Sequence, residues 1–263
     1  MDTLGASLSM LTNTGILIYI LKGVGFTLLI SVISVVCGLL LGSILAMVRN
    51  YCTGGKGLGK VIQRICRFIA TAYIEIFRNT PLLLWIFICL VFCPVPAFFS
   101  THQILGLTTA NGSLLFRACV ALILFTSSVI AEIVRGGLNG VAFGQFEAAH
   151  SQGFNTVQTM WYIVLPQAYR NIIPTLLSQV ITTIKDSSYL ANVAVIELMA
   201  RTRQMMNSAY MYNGTGTVNV SDVFVMFGLA AAIYFIINFS LSCIVRTLQK
   251  RQKKRPAVAP VEG

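Results

Sequence analysis

Long apolar stretches separated by short polar segments dominate this chain. A bilayer core takes about 20 apolar residues per helix, and five stretches suit that length. The first is expected from about Val24 to Val48, preceded by a shorter apolar stretch around Ile16–Leu21. The second runs from about Ile65 to Phe92 and the third from about Leu114 to Val134. The fourth begins near Ile172 and is expected to break at Lys185-Asp186-Ser187-Ser188; the fifth runs from about Val223 to Val245. In the first span Ser34, Gly38, Gly42 and Ala46 recur every four residues. Such a face lets helices approach closely, whether the partner is another span or another subunit. Residues 136–171 are the longest segment rich in polar and small residues between spans. Their pattern predicts a short helix, a bend at Gly153, and a second helix ending at Pro166. No internal repeat and no separate soluble domain is visible. The expectation is an all-α membrane protein, with one transmembrane domain over 1–263.

Composition agrees. Of 263 residues 56% are apolar and 10% charged, and mean hydropathy is +0.78, whereas a soluble domain carries about 25% charged residues. The net charge of +11 raises the question of nucleic acid, and its placement excludes that reading. One basic group lies at Arg49–Arg67, with Lys56, Lys60 and Arg64; the other lies in the tail, 247–263, after Arg246. Both flank apolar spans, where basic residues fix orientation and attract anionic membrane lipid. Residues 94–113 and 207–222 contain no Lys or Arg. The N-terminus is therefore expected outside and the C-terminus inside, with loop 136–171 in the cytoplasm. Arg201 and Arg203 fall near the outer face and count against this. The N-terminus lacks a basic region before an apolar core, so no cleavable signal peptide is expected. The seven cysteines show no metal spacing. Gly54-Gly55-Lys56-Gly57-Leu58-Gly59-Lys60-Val61 nearly matches a phosphate-binding loop. Valine replaces the hydroxyl that would hold Mg²⁺, so it reads as a flexible basic loop.

Within the cytoplasmic loop, Glu147-Ala148-Ala149, Gly153, Ile163 and Leu165-Pro166 form one fixed spacing. It resembles the E-A-A-x₃-G-x₉-I-x-L-P loop of permease subunits in ABC importers. Tyr73-Ile74-Glu75-Ile76-Phe77-Arg78-Asn79-Thr80-Pro81-Leu82-Leu83 is similar to the Y-x-E-x-F-R-G-T-P-L-L segment of polar amino acid permeases. Ala131–Gly137, Gly144-Gln145-Phe146-Glu147, Leu165-Pro166-Gln167-Ala168 and Lys185-Asp186-Ser187-Ser188 complete the resemblance, which covers roughly 15–250. Asn79, Trp85, Tyr189 and Val129-Ile130 depart from the usual residues and bear on the substrate rather than the family. The resemblance implies a five-span type I importer permease of the bacterial inner membrane, with a coupling-helix loop between spans three and four. Gly144, Gln145, Glu147, Ala148, Ala149 and Gly153 would carry the ATPase contact. The implied partners are two ABC ATPase subunits holding ATP and Mg²⁺, a second permease copy, identical or not, and an extracytoplasmic substrate-binding protein. No cofactor or catalytic residue is expected in this chain itself.

Ionisable groups inside a membrane must face protein or water. Glu75 and Arg78, and Glu132 and Arg135, are each three residues apart on one helical face and are read as structural ion pairs. Lys185 and Asp186 are adjacent and cannot satisfy one another by that spacing. Broken helices at bilayer depth line cavities or are buried, so a site role and a structural role both stand. Thr182, Asp186, Ser187 and Ser188 are the pathway candidates, with Glu75 and Trp85 secondary. The cargo is expected to be a polar amino acid, glutamine or glutamate ahead of cationic ones, because Glu75 and Glu132 each have an arginine nearby. A self-sufficient carrier or channel is the alternative, and would need inverted repeats or coupling-ion sites. An enzyme is a weaker one, since His102 and His150 lie far from paired acids.

Overall fold

In the computed structural model the described residues are 5, 7–8, 10–51, 58–103, 105–208 and 216–253. Cys52, the first half of the basic loop 54–61 with Lys56, and the end of the tail from Lys254 lie outside them. Among the described residues ten α-helices are distinguished: α1 (Thr14–Tyr51), α2 (Leu58–Arg78), α3 (Leu82–Phe92), α4 (Ala97–Thr101), α5 (Thr109–Asn139), α6 (Phe143–Ser151), α7 (Thr156–Thr159), α8 (Leu165–Asp186), α9 (Leu198–Asn207) and α10 (Val220–Lys253). No strand element occurs among the described residues. By length and composition α1, α5 and α10 can each cross a membrane, and α2 with α3 makes a fourth candidate as a bent pair.

Several expected boundaries move. The stretch Ile16–Leu21 is not separate from the first span: α1 is one helix of 38 residues, about 57 Å long at 1.5 Å per residue. Asn13 starts it, its side-chain oxygen accepting from the Gly15 amide at 2.9 Å. The expected single helix over 65–92 is two helices. Pro81 has no amide hydrogen and holds Thr80 out of the helical region, so α2 ends at Arg78 and α3 restarts after the proline. The helix of the expected fourth span, α8, begins at Leu165 rather than Ile172, and neither Pro166 nor Pro174 ends it; by length and composition it is not among the candidate spans. A π-helical turn over Met160–Val164 precedes Pro166, with the Leu165 amide reaching back to the Met160 carbonyl. That wider turn takes up the proline where a regular turn would meet its ring. The α geometry of α8 stops at Asp186, and residues Ser187–Val193 continue as a 3₁₀ helix. Ala194, at φ +57°, then ends the helical run.

The described chain forms two compact units. The first comprises 1–37, 80–125 and 182–238; the second comprises 38–79, 126–181 and 239–263. The first unit has one core around Ile30, Ile86, Ala118, Leu122 and Leu190, and another around Ile20, Leu198 and Met226. The second unit is built on Ala46, Ile74, Ile130, Ala131, Val134 and Leu165.

In that second unit the small-residue stripe of α1 meets α5. A β-carbon added at Gly42 would stand 2.6 Å from the Ser127 carbonyl oxygen and 2.9 Å from the Ala131 amide nitrogen. Ala46 is fully buried. Two residues out of phase along α1, Val32, Val36, Leu40 and Ile44 are all more than half exposed. Two positions on a helix are about 200° apart, so one face of α1 is small and covered while the opposite face is large, apolar and bare. A bare apolar face of that length suits hydrocarbon, not water.

Gly42→Ala should therefore lower the thermal stability of the purified protein, by about 1–3 kcal/mol for overpacking. Gly228→Ala, where an added carbon meets nothing within 4 Å, should leave it unchanged or slightly raised. Equal melting temperatures for the Gly42 variant and the parent would refute the close-approach account.

Candidate functional site

The loop between α5 and α8 is a helix–turn–helix whose turn is written in three residues. At the end of α6 the Phe154 amide donates to the Ala149 carbonyl at 3.1 Å and the Gly153 amide to the His150 carbonyl at 2.9 Å. This paired closure requires a left-handed residue, and Gly153 sits at φ +83°. A side chain there would have open space around it; the constraint is conformational alone. Asn155 then starts α7 with a capping box. Its side chain accepts from the Gln158 amide at 2.8 Å, and the Gln158 side chain accepts from the Asn155 amide at 2.9 Å.

The two faces of α6 differ. Phe146 packs against the core of the second unit, and Ala149 is buried. Gly144, Glu147, Ala148 and Ser151 are exposed, and their spacing of three, one and three puts them on one outward face. Gln145 is also exposed and accepts from the Gln167 side chain at 3.0 Å, which fastens α6 to α8. Among the residues expected to contact an ATPase, Ala149 thus supports the helix from below. Beside it Phe143, Val157, Trp161 and Tyr162 are each more than 60% exposed. An outward helix face flanked by bare aromatic groups is what a docking partner would cover.

The same unit holds the ionic cluster. Glu132 accepts from Arg135 through a short charge-assisted contact, from Arg49 Nη1 at 3.2 Å, and lies 3.6 Å from Arg78. Arg49 Nη2 also pairs with Glu75 at 2.9 Å. Glu75 and Arg78 are not each other's partners as the spacing suggested: Glu75 turns to Arg49 and Arg78 to Glu132. The sequence reading missed Arg49, counting it only as loop charge. It links α1, α2 and α5 by itself. Its position one turn beyond Ala46, in line with the small stripe, was the available signal.

In the first unit, Ser187 is fully buried and donates to the Ile184 carbonyl at 2.8 Å. Asp186 and Ser188 are half-buried, and Thr182 is exposed. Trp85 donates its indole N–H to Thr80 at 2.7 Å. Of the pathway candidates, Glu75 alone belongs to the second unit. A further buried acid, Glu197, was not anticipated. Its carboxylate accepts from the Ala200 amide at 2.7 Å, from Tyr234 at 3.1 Å and from Thr27 at 3.2 Å. One carboxylate so joins α1, α9 and α10. Its signal was an acid one turn ahead of Arg201 in an apolar segment.

Residues 38–254 match the family described as "Binding-protein-dependent transport system inner membrane component". The "Probable glutamine ABC transporter permease protein GlnP" of Bacillus subtilis (strain 168) is 38% identical over 182 residues, 68% of this chain and 73% of that protein. The "Glutamate/aspartate import permease protein GltK" of Escherichia coli O157:H7 is 33% identical over 238 residues, 89% of this chain and 93% of that protein. Among solved structures, the "Crystal structure of an amino acid ABC transporter with histidines" aligns with a TM-score of 0.69 and 25% identity, over 93% of this chain and 97% of that one. The chain belongs to the family of inner-membrane components of binding-protein-dependent transport systems.

Proposed function

We propose that this chain is the five-span permease subunit of an ATP-driven importer of a polar amino acid, glutamine or glutamate first. The observation that carries the reading is the outward face of α6, Gly144, Glu147, Ala148 and Ser151, held by a glycine closure and a capping box. A helix presented so rigidly passes a push from a docked ATPase into α8, to which Gln167 ties it. Two ATPases, a second permease copy and an external binding protein complete the importer, in keeping with the family. The N-terminus is outside and the C-terminus inside. Arg49, Arg78 and Arg135 share the second unit with the α6–α7 loop, which supports placing that unit at the cytoplasmic side. The pathway runs past Thr182, Asp186, Ser187 and Ser188, where α8 gives way to a 3₁₀ helix, with Trp85 and Glu75 contributing. The names of the relatives favour glutamine, glutamate or aspartate, and the aligned structure's title names histidines.

The loop is tested in the assembled complex. Gly153→Val should reduce coupled transport strongly while Gly153→Asn retains part of it, because asparagine tolerates the left-handed region and valine does not. ATPase binding and uptake unaffected in the valine variant would sink the coupling role. The cargo is tested by ATP-dependent uptake of radiolabelled glutamine, glutamate, histidine and arginine into vesicles holding the whole importer. Uptake of glutamine or glutamate above the cationic pair is expected; arginine or histidine alone would overturn the substrate and leave the permease reading standing.

A further inference from the structure

The helix α2 carries three different faces. Counting about 100° per residue, Ala70, Ile74 and Phe77 share one side, where all three are buried. Ile74 there joins Ala46 and Ile130 in the core of the second unit. Lys60, Arg64 and Arg67 recur at steps of four and three on a second side. All three are exposed, and no ion pair among the described residues engages them. Ile62, Ile65 and Ile69 stand opposite those charges, with Val61 and Phe68 beside them on the flank away from the core. Each of these five apolar side chains is more than half exposed.

The ends of α2 rule out a crossing. Its last turn is fixed beside the end of α1, with Glu75 on Arg49 at 2.9 Å and Arg78 lying 3.6 Å from Glu132. Its first residue, Leu58, follows Tyr51 by seven residues, at most about 25 Å of extended chain. A bilayer core is about 30 Å thick, so both ends of α2 stay with the membrane face at which α1 ends. By itself α2 is also not among the helices long and apolar enough to cross. Two places remain for its first half, free in water or flat on the bilayer. Five bare apolar side chains on one side do not suit water. Basic residues on one side and large apolar ones opposite suit the boundary between headgroups and acyl chains. That boundary is at hand, since α1 leaves the membrane at Arg49.

We propose that residues 59–69 form an interfacial helix that lies in the plane of the membrane surface and binds anionic phospholipid. Ile62, Ile65, Phe68 and Ile69 sink among the acyl chains, and Lys60, Arg64 and Arg67 meet the phosphates. Long basic side chains lay their stems on apolar surface and keep their charges at the headgroup level. The one acid of α2, Glu75, is answered by Arg49, so nothing on the first half opposes an anionic surface. Basic groups so placed are attracted by a negatively charged leaflet. Residues 65–69 thereby leave the expected second span and become a strut on the surface. The contact rests on the membrane setting of the family and on no particular cargo. The helix that enters the ionic cluster at Glu75 is then held by lipid along its other half.

The test uses the whole importer in vesicles of phosphatidylcholine with phosphatidylglycerol. The photocrosslinking residue benzoylphenylalanine replaces Phe68 in one version and Arg64 in another, and the adducts are identified by mass. Acyl-chain adducts are expected at position 68 and few or none at position 64. If the first version does not assemble, Ile65 on the same side takes the label. Lys60→Gln, Arg64→Gln and Arg67→Gln together, with the label at position 68, should lower the share of phosphatidylglycerol among the adducts about fivefold or more, one basic group near an anionic surface being worth that much. Crosslinks from position 68 to a second permease copy or to the ATPase would assign the face to a protein partner and overturn the proposal. Equal acyl adducts at both positions would mark a lipid-embedded span, and none at either would put the helix in water; each overturns it as well. An unchanged phosphatidylglycerol share in the triple variant would overturn the anionic contact. Uptake by the importer is a separate readout, and the transport reading stands or falls on that alone.

Discussion

The close approach of α1 to α5 at Gly42 sets the terms for the second unit. In hydrocarbon, apolar side chains gain little by leaving lipid for one another, so helices are held by shape and by the polar groups that contact allows. With a backbone oxygen 2.6 Å from where a β-carbon would stand, no side chain fits between the two helices. Ala46 continues that contact one turn on, and Arg49 and Asn50 follow on the same side of α1. Arg49 then reaches Glu132, and Asn50 donates to Asn139 at 3.0 Å. Without the small stripe, the ionic cluster would have no common centre.

The cluster in turn fixes the base from which α6 departs. Glu132 sits two turns before the end of α5, and Arg135 and Asn139 are tied into the network. The chain leaves α5 at Asn139 and enters α6 four residues later, too few to uncouple one from the other. Gly137 adds a second close contact, since a β-carbon there would meet the Ile172 side chain at 2.5 Å. The exit of α5 is thereby pressed on α8. The α6 helix is short, yet both of its ends are anchored. The coupling role proposed above would need that rigidity, because a docking helix that rocked on its own would absorb motion instead of transmitting it.

The loop and the small stripe were legible because each depends on a local rule. Gly153 answers a backbone conformation, Asn155 and Gln158 are three apart, and Ser34 to Ala46 keep a strict four-residue step. The ion pairs were legible only in part. Spacing along one helix identified Glu132 with Arg135, but the partner of Glu75 comes from 26 residues away, and no periodicity links α1 to α2. The prolines misled in both directions. Pro81 separates two helices that hydropathy runs together, while Pro166 lies inside a helical run that its presence seemed to end. What decides is the residue before each proline and the turn that receives it, and a π-turn at 160–164 leaves no mark in an apolar run.

Glu132, half-buried, and Glu197, fully buried, show how differently one fold satisfies a carboxylate. Glu132 is surrounded by three guanidinium groups, so its charge is cancelled where it stands and the helices bearing those groups are drawn together. Glu197 is answered by an amide and two hydroxyl groups, none of them charged. Neutral donors satisfy its lone pairs but leave its charge uncancelled. Arg201, four residues on, likewise rests on neutral groups. Joining the two would have been simple on one helix face, yet each is directed to other elements: Glu197 to α1 and α10, Arg201 to the Tyr19 carbonyl and ring. The second unit spends its opposite charges on one another and becomes a brace. The first keeps an acid and a base apart within one turn, and each is answered by neutral groups on other elements.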